Sequence, residues 1–467
     1  MSPRGADLAA ARFSTPAVVL KLDRNVMHHG GLGVIRSLGR LGVPVYGVHE
    51  GPLAPAANSR YLRGRYFWNP GVTDPARLTD GLLRLAAVIG EPAVLIPTDD
   101  AGAIFLAEHG DALRSEFLFP QPPRDLPRRL AGKYSLRQLC RELGVPTPHV
   151  VMADSMTSAT QFAADAGYPL VAKLAEPWHS RRGLHSTTVI ADASALRSIW
   201  HACDQAGAGL MLQEFIPAST HSDWFFHGYC DSKSACRPAF TGIKERSYPA
   251  RAGLTSLGRS AVNHRLRAQL AGLLTAIGYQ GIMDVDVRWD ASDGQFKVLD
   301  FNPRLGAQFR LFEDTAGVDV VIAMYLDVTG QEVPRGDQVA ARRLLVENYD
   351  PIAAASYWRN GELGIRAWAA SLRGIEETAW FARDDLLPFG LMCLYMSTRA
   401  ISRPATGHNL RRRASAGRAS YSAGRGSTGR YRAGRAASAR RQPGLKKPEQ
   451  AKPAQIETLE SKERVGA

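Results

Sequence analysis

The stretch from Tyr279 to Asp314 constrains this chain more than any other. Ile282 to Trp289 alternates apolar with polar residues and is rich in β-branched side chains, and Gln295 to Phe301 does the same. Asp290-Ala-Ser-Asp-Gly294 joins the two runs. Such runs, separated by about five residues that include a glycine, predict a β-hairpin. Alternate strand residues share a face, so Asp284 goes with Asp286 and Asp300 with Asn302. Folding the hairpin back brings Asp286 close to Asp300. Oxygen ligands with no His or Cys nearby suit a hard cation, Mg²⁺ or Mn²⁺. Arg304, just past the strand after Pro303, is placed to meet an anion that such a metal holds. The simpler alternative is a solvated hairpin whose wet face is polar. Asp-x-Asn-Pro-Arg after an apolar strand, with a matching acid on the partner strand, favours the metal.

A chain of 467 residues allows two to four domains. Its 45% hydrophobic and 8% aromatic content is that of a globular enzyme rather than a disordered protein. The five cysteines are scattered with no C-x-x-C pair, which argues against a disulfide frame or a zinc knuckle. The N-terminal MSPRGADLAAARF has no apolar core of the signal-peptide kind. The longest apolar run, near Leu386 to Met396, is about half a membrane span and contains Pro388 and Gly390. A cytoplasmic protein without a transmembrane segment is expected. The net charge of +14 is concentrated in one place: residues 402–467 carry 16 Lys and Arg against 4 Glu, leaving +2 for the preceding 401 residues. The basic balance belongs to the tail, so the body is not expected to bind specific nucleic acid, while the tail is suited to anionic surfaces.

In chain order, Ala17 to Leu22 reads as a strand, His28-His-Gly-Gly-Leu-Gly33 as a Gly-rich turn, Val34 to Leu41 as a helix and Val43 to Val48 as the next strand. Glycines let a helix N-terminus approach a ligand, but the spacing is not G-x-G-x-x-G, and no acid closes the second strand in the dinucleotide manner, although Glu50 is close. Ala93 to Asp100 is a buried strand. Asp99 at its carboxyl end is either a substrate-site residue or the N-cap of a helix over Ala101 to Glu108. Four prolines between Pro120 and Pro127 mark a boundary. Leu130 to Leu143 reads as one amphipathic helix ended by Gly144 and Pro146. Lys173 closes a buried P-x-V-x-K strand, where an ammonium is costly without an anion. Lys244 and Arg246 share a strand face and could clamp a phosphate or a substrate carboxylate, with Ala252 to Gly258 as a loop closing over the acceptor. Downstream, Asp319 to Thr329 is a predicted helix ended by Gly330, and Arg342 to Glu347 a strand. Trp358, Trp368 and Trp380 read most simply as core. From Ser402 onward, Arg, Ala, Gly and Ser dominate, which predicts disorder.

From Lys133 to Gly330, and upstream to Ala17, the chain resembles the ATP-grasp ligases, and more narrowly the carboxylate–amine branch, with D-aspartate ligases as one such likeness. The resemblance rests on the hairpin with D-x-N-P-R followed by Gly, on the Lys133 helix leading into Gly-Val-Pro-x-Pro148, on Lys173, and on Leu210 to Pro217. It implies a pre-ATP-grasp Rossmann-like α/β domain followed by a two-lobed ATP-grasp domain of α+β character. It implies ATP with two Mg²⁺ (Mn²⁺ as an alternative) on Asp286, Asp300 and Asn302, with Lys133 and Lys173 on phosphate and Arg304 and Lys173 serving the chemistry. Between the lobes, Gln213, Glu214 and Ile216 would frame adenine, largely through backbone groups, with Asp223 near the ribose. Residues 176–186, with His179, Arg181, Arg182 and His185, would form the loop over the phosphates. The second metal acid is more often Glu in that superfamily, so Asp300 is a shorter reach. Asp284 stands where some relatives place a basic residue, and its role is open.

The expected division is a flexible 1–14, an α/β domain over 15–125, the ATP-grasp domain over 126–335, a small α/β appendage over 336–401 and the basic tail over 402–467. The expected activity is ATP-dependent joining of a small carboxylate to an amine through an acylphosphate, releasing ADP and phosphate. A homodimer is left open. The alternatives are an ATP-binding protein without turnover, and a ligase body tethered to an anionic surface or nucleic acid by its tail.

Overall fold

The computed structural model describes residues 8, 11–67, 74–174, 187–219, 221–250 and 253–401. The loop expected over 176–186 and the basic tail lie outside the described residues. The chain divides into two compact units at Met392, and the larger one holds three sheets.

The first sheet is parallel, in order β3-β2-β1-β4-β5, from β1 (Ala17–Leu20), β2 (Val45–His49), β3 (Leu62–Phe67), β4 (Ala93–Pro97) and β5 (Phe117–Leu118). Every residue of β1 is buried, as expected of strands covered on both faces. The covering helices are α1 (Gly30–Gly39), α2 (Pro75–Ile89) and α3 (Asp100–His109). Helix α2 has an Asp74 N-cap, Pro75 at its first position and Gly90 in the left-handed region at φ 79°. Helix α1 begins at Gly30 rather than Val34, so the glycines read as a turn lie inside the helix. A Cβ on Gly33 would sit 2.7 Å from the Phe309 ring, so glycine there permits close packing on the segment after the hairpin.

The Leu130–Leu143 helix is interrupted. Gly132 is extended at ψ 120° between α4 (Leu126–Ala131) and α5 (Lys133–Glu142), which puts Lys133 at the first position of α5. A four-stranded antiparallel sheet follows, in order β6-β9-β7-β8, from β6 (Val150–Ala153), β7 (Leu170–Leu174), β8 (Thr187–Ile190) and β9 (Leu210–Glu214). It is backed by α6 (Met156–Ala166) and α7 (Ala193–Ala206) through a core that includes Ala159, Leu170, Leu196 and Leu212.

The largest sheet has the order β14-β13-β10-β11-β12-β15-β16. Its strands are β10 (Asp223–Cys230), β11 (Cys236–Tyr248), β12 (Leu254–Ser260), β13 (Gly281–Asp290), β14 (Gln295–Asn302), β15 (Arg343–Leu345) and β16 (Glu377–Thr378). Leu254 to Gly258, expected in a closing loop, is strand: Thr255, Ser256 and Leu257 are buried and β12 pairs with β11. Helix α8 (His264–Ala276) packs Leu266, Leu270, Leu273 and Leu274 with Met283, Val285, Val287, Phe296, Val298 and Phe301. The hairpin's apolar alternation therefore faces α8 and its acids face away. Helices α9 (Val320–Val328), α10 (Asp350–Arg359), α11 (Ile365–Ser371) and α12 (Leu387–Ile401) complete the described chain. The three tryptophans differ: Trp380 is buried, Trp368 is half-buried with its indole N–H donated to Asp350, and Trp358 is 66% exposed and is not core.

Candidate active site

The hairpin register pairs Asp286 with Asp300 and Asp284 with Asn302. The pairing is not a plain ladder. Val287 opposes Val298 while Asp286 opposes Asp300, so Leu299 is an extra residue. Strict alternation from Lys297 would have turned Asp300 toward α8. The bulge puts Lys297 and Asp300 on one face while Val298 and Phe301 both stay in the core.

Cations gather around this face. Lys244 Nζ lies 3.0 Å from Asp286 Oδ1. Burial acts against the Lys244 charge, but the Asp286 carboxylate holds its pKa above the usual lysine value. Burial pushes the Asp286 carboxyl up, with Lys244 opposing. Arg304 links α3 to the hairpin: its Nε is 3.1 Å from Asp100 Oδ1 on α3, and its Nη2 donates to Asn302 Oδ1 at 3.0 Å. Asp100, rather than Asp99, is the acid that meets the hairpin. Asp99 caps α3 by accepting from Gly102 N at 2.7 Å, and it also accepts from Leu22 N and Asp23 N, so its carboxylate is taken up by the fold.

Lys173 sits on β7 between Met211 and Thr187. Burial, and then the nearby Arg137 guanidinium, lower its pKa to about 7, with Lys133 adding to the effect and Asp300 opposing it. Sequence reading missed Arg137. It is only 2% exposed, donates one Nη to Leu299 O on the bulge, and its Nε and Nη1 have no partner among the described residues. A signal was present, since Lys133 and Arg137 are four residues apart and share a helix face. Buried guanidinium nitrogens without a partner are costly, and together with Lys173 they leave a pocket of positive charge that an anion would satisfy.

Between the lobes, Gln213 is buried with Oε1 unpartnered, and Glu214 Oε2 accepts from His149 N at 3.1 Å. The Ile216 carbonyl accepts from Arg288 Nη1 at 3.0 Å, and Arg288 Nε donates to Asp223 Oδ1 at 2.6 Å. Lys297 Nζ, 2.6 Å from Asp290 and 3.5 Å from Glu214, ties the hairpin end to the same place. Arg288 and Lys297 were invisible as site residues because each reads as one more polar position on an alternating strand. Arg246 departs from expectation. Its Nε and Nη2 donate to both oxygens of Asp350 at 2.8 and 3.0 Å and its Nη1 to Ser371 Oγ, so it clamps α10 and α11 instead of standing beside Lys244. A register shift against β12 falls between the two.

The residues fit a metal–nucleotide. Among the described residues no three His, Cys, Asp or Glu side chains converge as a cage. Two cross-strand carboxylates and an amide suit Mg²⁺, which keeps waters and shares phosphate oxygens rather than demanding all-protein ligation. The Nε and Nη1 of Arg137, without partners among the described residues, and buried Lys173 would complement phosphate.

No family model matches the chain. It is 22% identical over 270 residues to the D-aspartate ligase of Enterococcus faecium, a match covering 54% of this chain and 63% of that enzyme. It is 24% identical over 325 residues to the biotin carboxylase of Pseudomonas aeruginosa, covering 65% and 68%. The first match thus spans less than two thirds of the relative's length. In fold, the chain is similar to N5-carboxyaminoimidazole synthetase from Staphylococcus aureus complexed with ADP, with a TM-score of 0.53 at 12% identity over 71% of this chain and 81% of that one. It is also similar to a biotin carboxylase–beta-gamma-ATP complex from Campylobacter jejuni, with a TM-score of 0.51 at 15% identity over 70% and 74%. No helix among the described residues is long and apolar enough to cross a membrane. A Rossmann-like parallel sheet, a small antiparallel lobe and a large, mainly antiparallel sheet bearing the acid hairpin follow one another along the chain, and its fold is that of the ATP-grasp enzymes, the superfamily of these relatives and neighbours.

Proposed function

We propose that this protein is an ATP-dependent carboxylate–amine ligase that releases ADP and phosphate. The observation that carries the proposal is the cross-strand pairing of Asp286 with Asp300, facing Lys244, Lys173 and Arg137. In this reading Asp286, Asp300 and Asn302 hold Mg²⁺, which neutralises phosphate charge when bound. Lys133, Lys173 and Arg137 neutralise the phosphates, and burial of Arg137 and Lys173 strengthens that attraction. Gln213, Glu214 and Ile216 frame the adenine, with Arg288 orienting both the Ile216 carbonyl and Asp223 beside the ribose. Arg304 and Lys244 hold the substrate carboxylate against the terminal phosphate. A carboxylate oxygen attacks the terminal phosphorus and ADP leaves. The amine nitrogen then attacks the acyl carbon, phosphate leaves with the C–O electron pair, and the amine gives up a proton. The fold contributes positioning and charge rather than a nucleophile. The D-aspartate ligase relative favours an amino acid as one of the two substrates, and the cytoplasm is the proposed compartment.

The test is ADP formation with Mg²⁺ over pools of amino acids and small carboxylates. ADP release is expected to require a carboxylate and to rise when a suitable amine is added. AMP with pyrophosphate as product would refute the mechanism, because attack would then be at the α-phosphate. ATP binding with no carboxylate-dependent ADP would favour a non-catalytic binder.

A further inference from the structure

Asp284 has no role in the ligase reading, yet it has more polar neighbours than either proposed metal carboxylate. It lies on β13 directly between His227 on β10 and Asn302 on β14. His227 is fully buried and Asp284 is 5% exposed, with Nε2 2.8 Å from Oδ1. Asn302 Nδ2 lies 3.3 Å from both Asp284 Oδ2 and the Asp284 carbonyl, Gln308 Nε2 lies 3.4 Å from Oδ1, and Arg304 Nη1 lies 3.7 Å from Oδ2. The far side of the His227 ring is walled by Phe312 and Phe225, with centroids at 5.0 and 5.9 Å. Over the top lies Gly306, where a Cβ would come within 2.2 Å of His227 Cε1 and 2.6 Å of Asp284 Cγ. The turn after the hairpin is therefore seated directly on this pair.

An asparagine amide can present either its oxygen or its nitrogen to a given side, and only its hydrogen-bond partners decide which. An ionised Asp284 accepts and cannot donate. It therefore draws Nδ2 toward itself and turns Oδ1, the atom able to bind a cation, to the opposite side. There Arg304 Nη2 meets that oxygen at 3.0 Å.

We propose that His227 and Asp284 are positioning residues: together they fix the Asn302 amide with its oxygen toward the metal side and hold the 303–308 turn so that Arg304 faces the substrate carboxylate. The inference rests on the ligase reading for the role of Asn302. Partners of this kind behind a metal ligand are typically worth about 10–100-fold in metal affinity.

The experiment measures ADP binding by calorimetry, with and without Mg²⁺, together with amide hydrogen exchange over 302–309 in protein free of nucleotide. The samples are the native protein, Asp284→Asn and His227→Gln. In Asp284→Asn, the Mg²⁺ concentration that half-supports ADP binding is expected to rise about tenfold, while ADP binding without Mg²⁺ stays within about twofold of native and exchange over 302–309 accelerates. His227→Gln is expected to shift the Mg²⁺ requirement in the same direction, by up to about tenfold. A merely structural role predicts an equal loss of ADP binding with and without the metal. If Asp284→Asn does not fold, His227→Gln decides the matter. A native Mg²⁺ requirement and native exchange in His227→Gln overturn the proposal, as does an equal loss with and without Mg²⁺. Should the native protein show no Mg²⁺-dependent ADP binding, the ligase reading falls and this inference with it; native binding with unchanged variants overturns this inference alone.

Discussion

Two cations stand two residues apart on β11 and serve different regions of the molecule. Lys244, 11% exposed, makes one ionic contact among the described residues, to Asp286, which is 31% exposed, and donates to the Gly253 carbonyl at 3.3 Å. Arg246 makes a two-pronged contact to Asp350, with the two side chains 6% and 2% exposed. A lone ammonium contact at an open cleft can be exchanged for a ligand's oxygen. A buried bidentate guanidinium cannot be released without stranding a carboxylate in the interior. The same local pattern, alternating cations on a strand, thus yields one site group and one structural clamp.

The strongest test of that contrast is Arg246→Ala. It leaves Asp350 buried and unpaired, and a loss of about 3–5 kcal/mol is expected, seen as a melting temperature lower by about 10 °C. Melting within a degree of native would break the contrast. On the other side, Asp300→Asn removes a proposed ligand charge that makes no ion pair among the described residues, and ATP turnover should fall at least about tenfold with melting unchanged. Wild-type turnover at ordinary Mg²⁺ would sink the metal assignment. Lys244→Met should reduce turnover by a similar or smaller factor, about tenfold. It should cost less stability than Arg246→Ala, because Asp286 is 31% exposed and water can reach it when the ammonium is gone. A melting loss as large as that of Arg246→Ala would show the two pairs to be alike.

A smaller effect concerns Lys173. Its folded pKa of about 7 lies below the ordinary 10.5, so between those values the folded protein holds fewer protons than the unfolded chain. Its contribution to stability therefore rises with pH across that window, and the full cost of burying its charge is felt below about pH 7. An anion bound beside it restores the proton. ADP binding at pH 8 should take up about one proton, measured by calorimetry in buffers of differing ionisation enthalpy, and Lys173→Met should abolish that uptake. Undiminished uptake in the variant would remove Lys173 from the phosphate site. The smallest effect is expected from ending the chain at Ile401, which removes most of the net positive charge and almost no aliphatic residues. Melting temperature and ADP affinity should be unchanged, and a drop of several degrees would show that the tail supports the body.

What the sequence determined by itself lies within a few residues of each motif. Strand alternation follows from backbone geometry, so the shared face of Asp284 and Asp286, and the apolar face of Met283, Val285 and Val287, were legible before any partner was known. The ATP-grasp order of elements was legible only through the resemblance of its motifs to that family. Choices of partner were decided elsewhere. Arg246 meets Asp350 across 104 positions, Arg288 meets the Ile216 carbonyl across 72, and Arg304 meets Asp100 on α3. Nothing in a local pattern distinguishes these cations from solvated ones, because ion pairing depends on which strands and helices are brought together and on how much water is left between them. The Leu299 bulge is of the same kind. Only packing against α8 required Val298 and Phe301 to face one way, and the extra residue needed to satisfy both turned Asp300 toward Asp286.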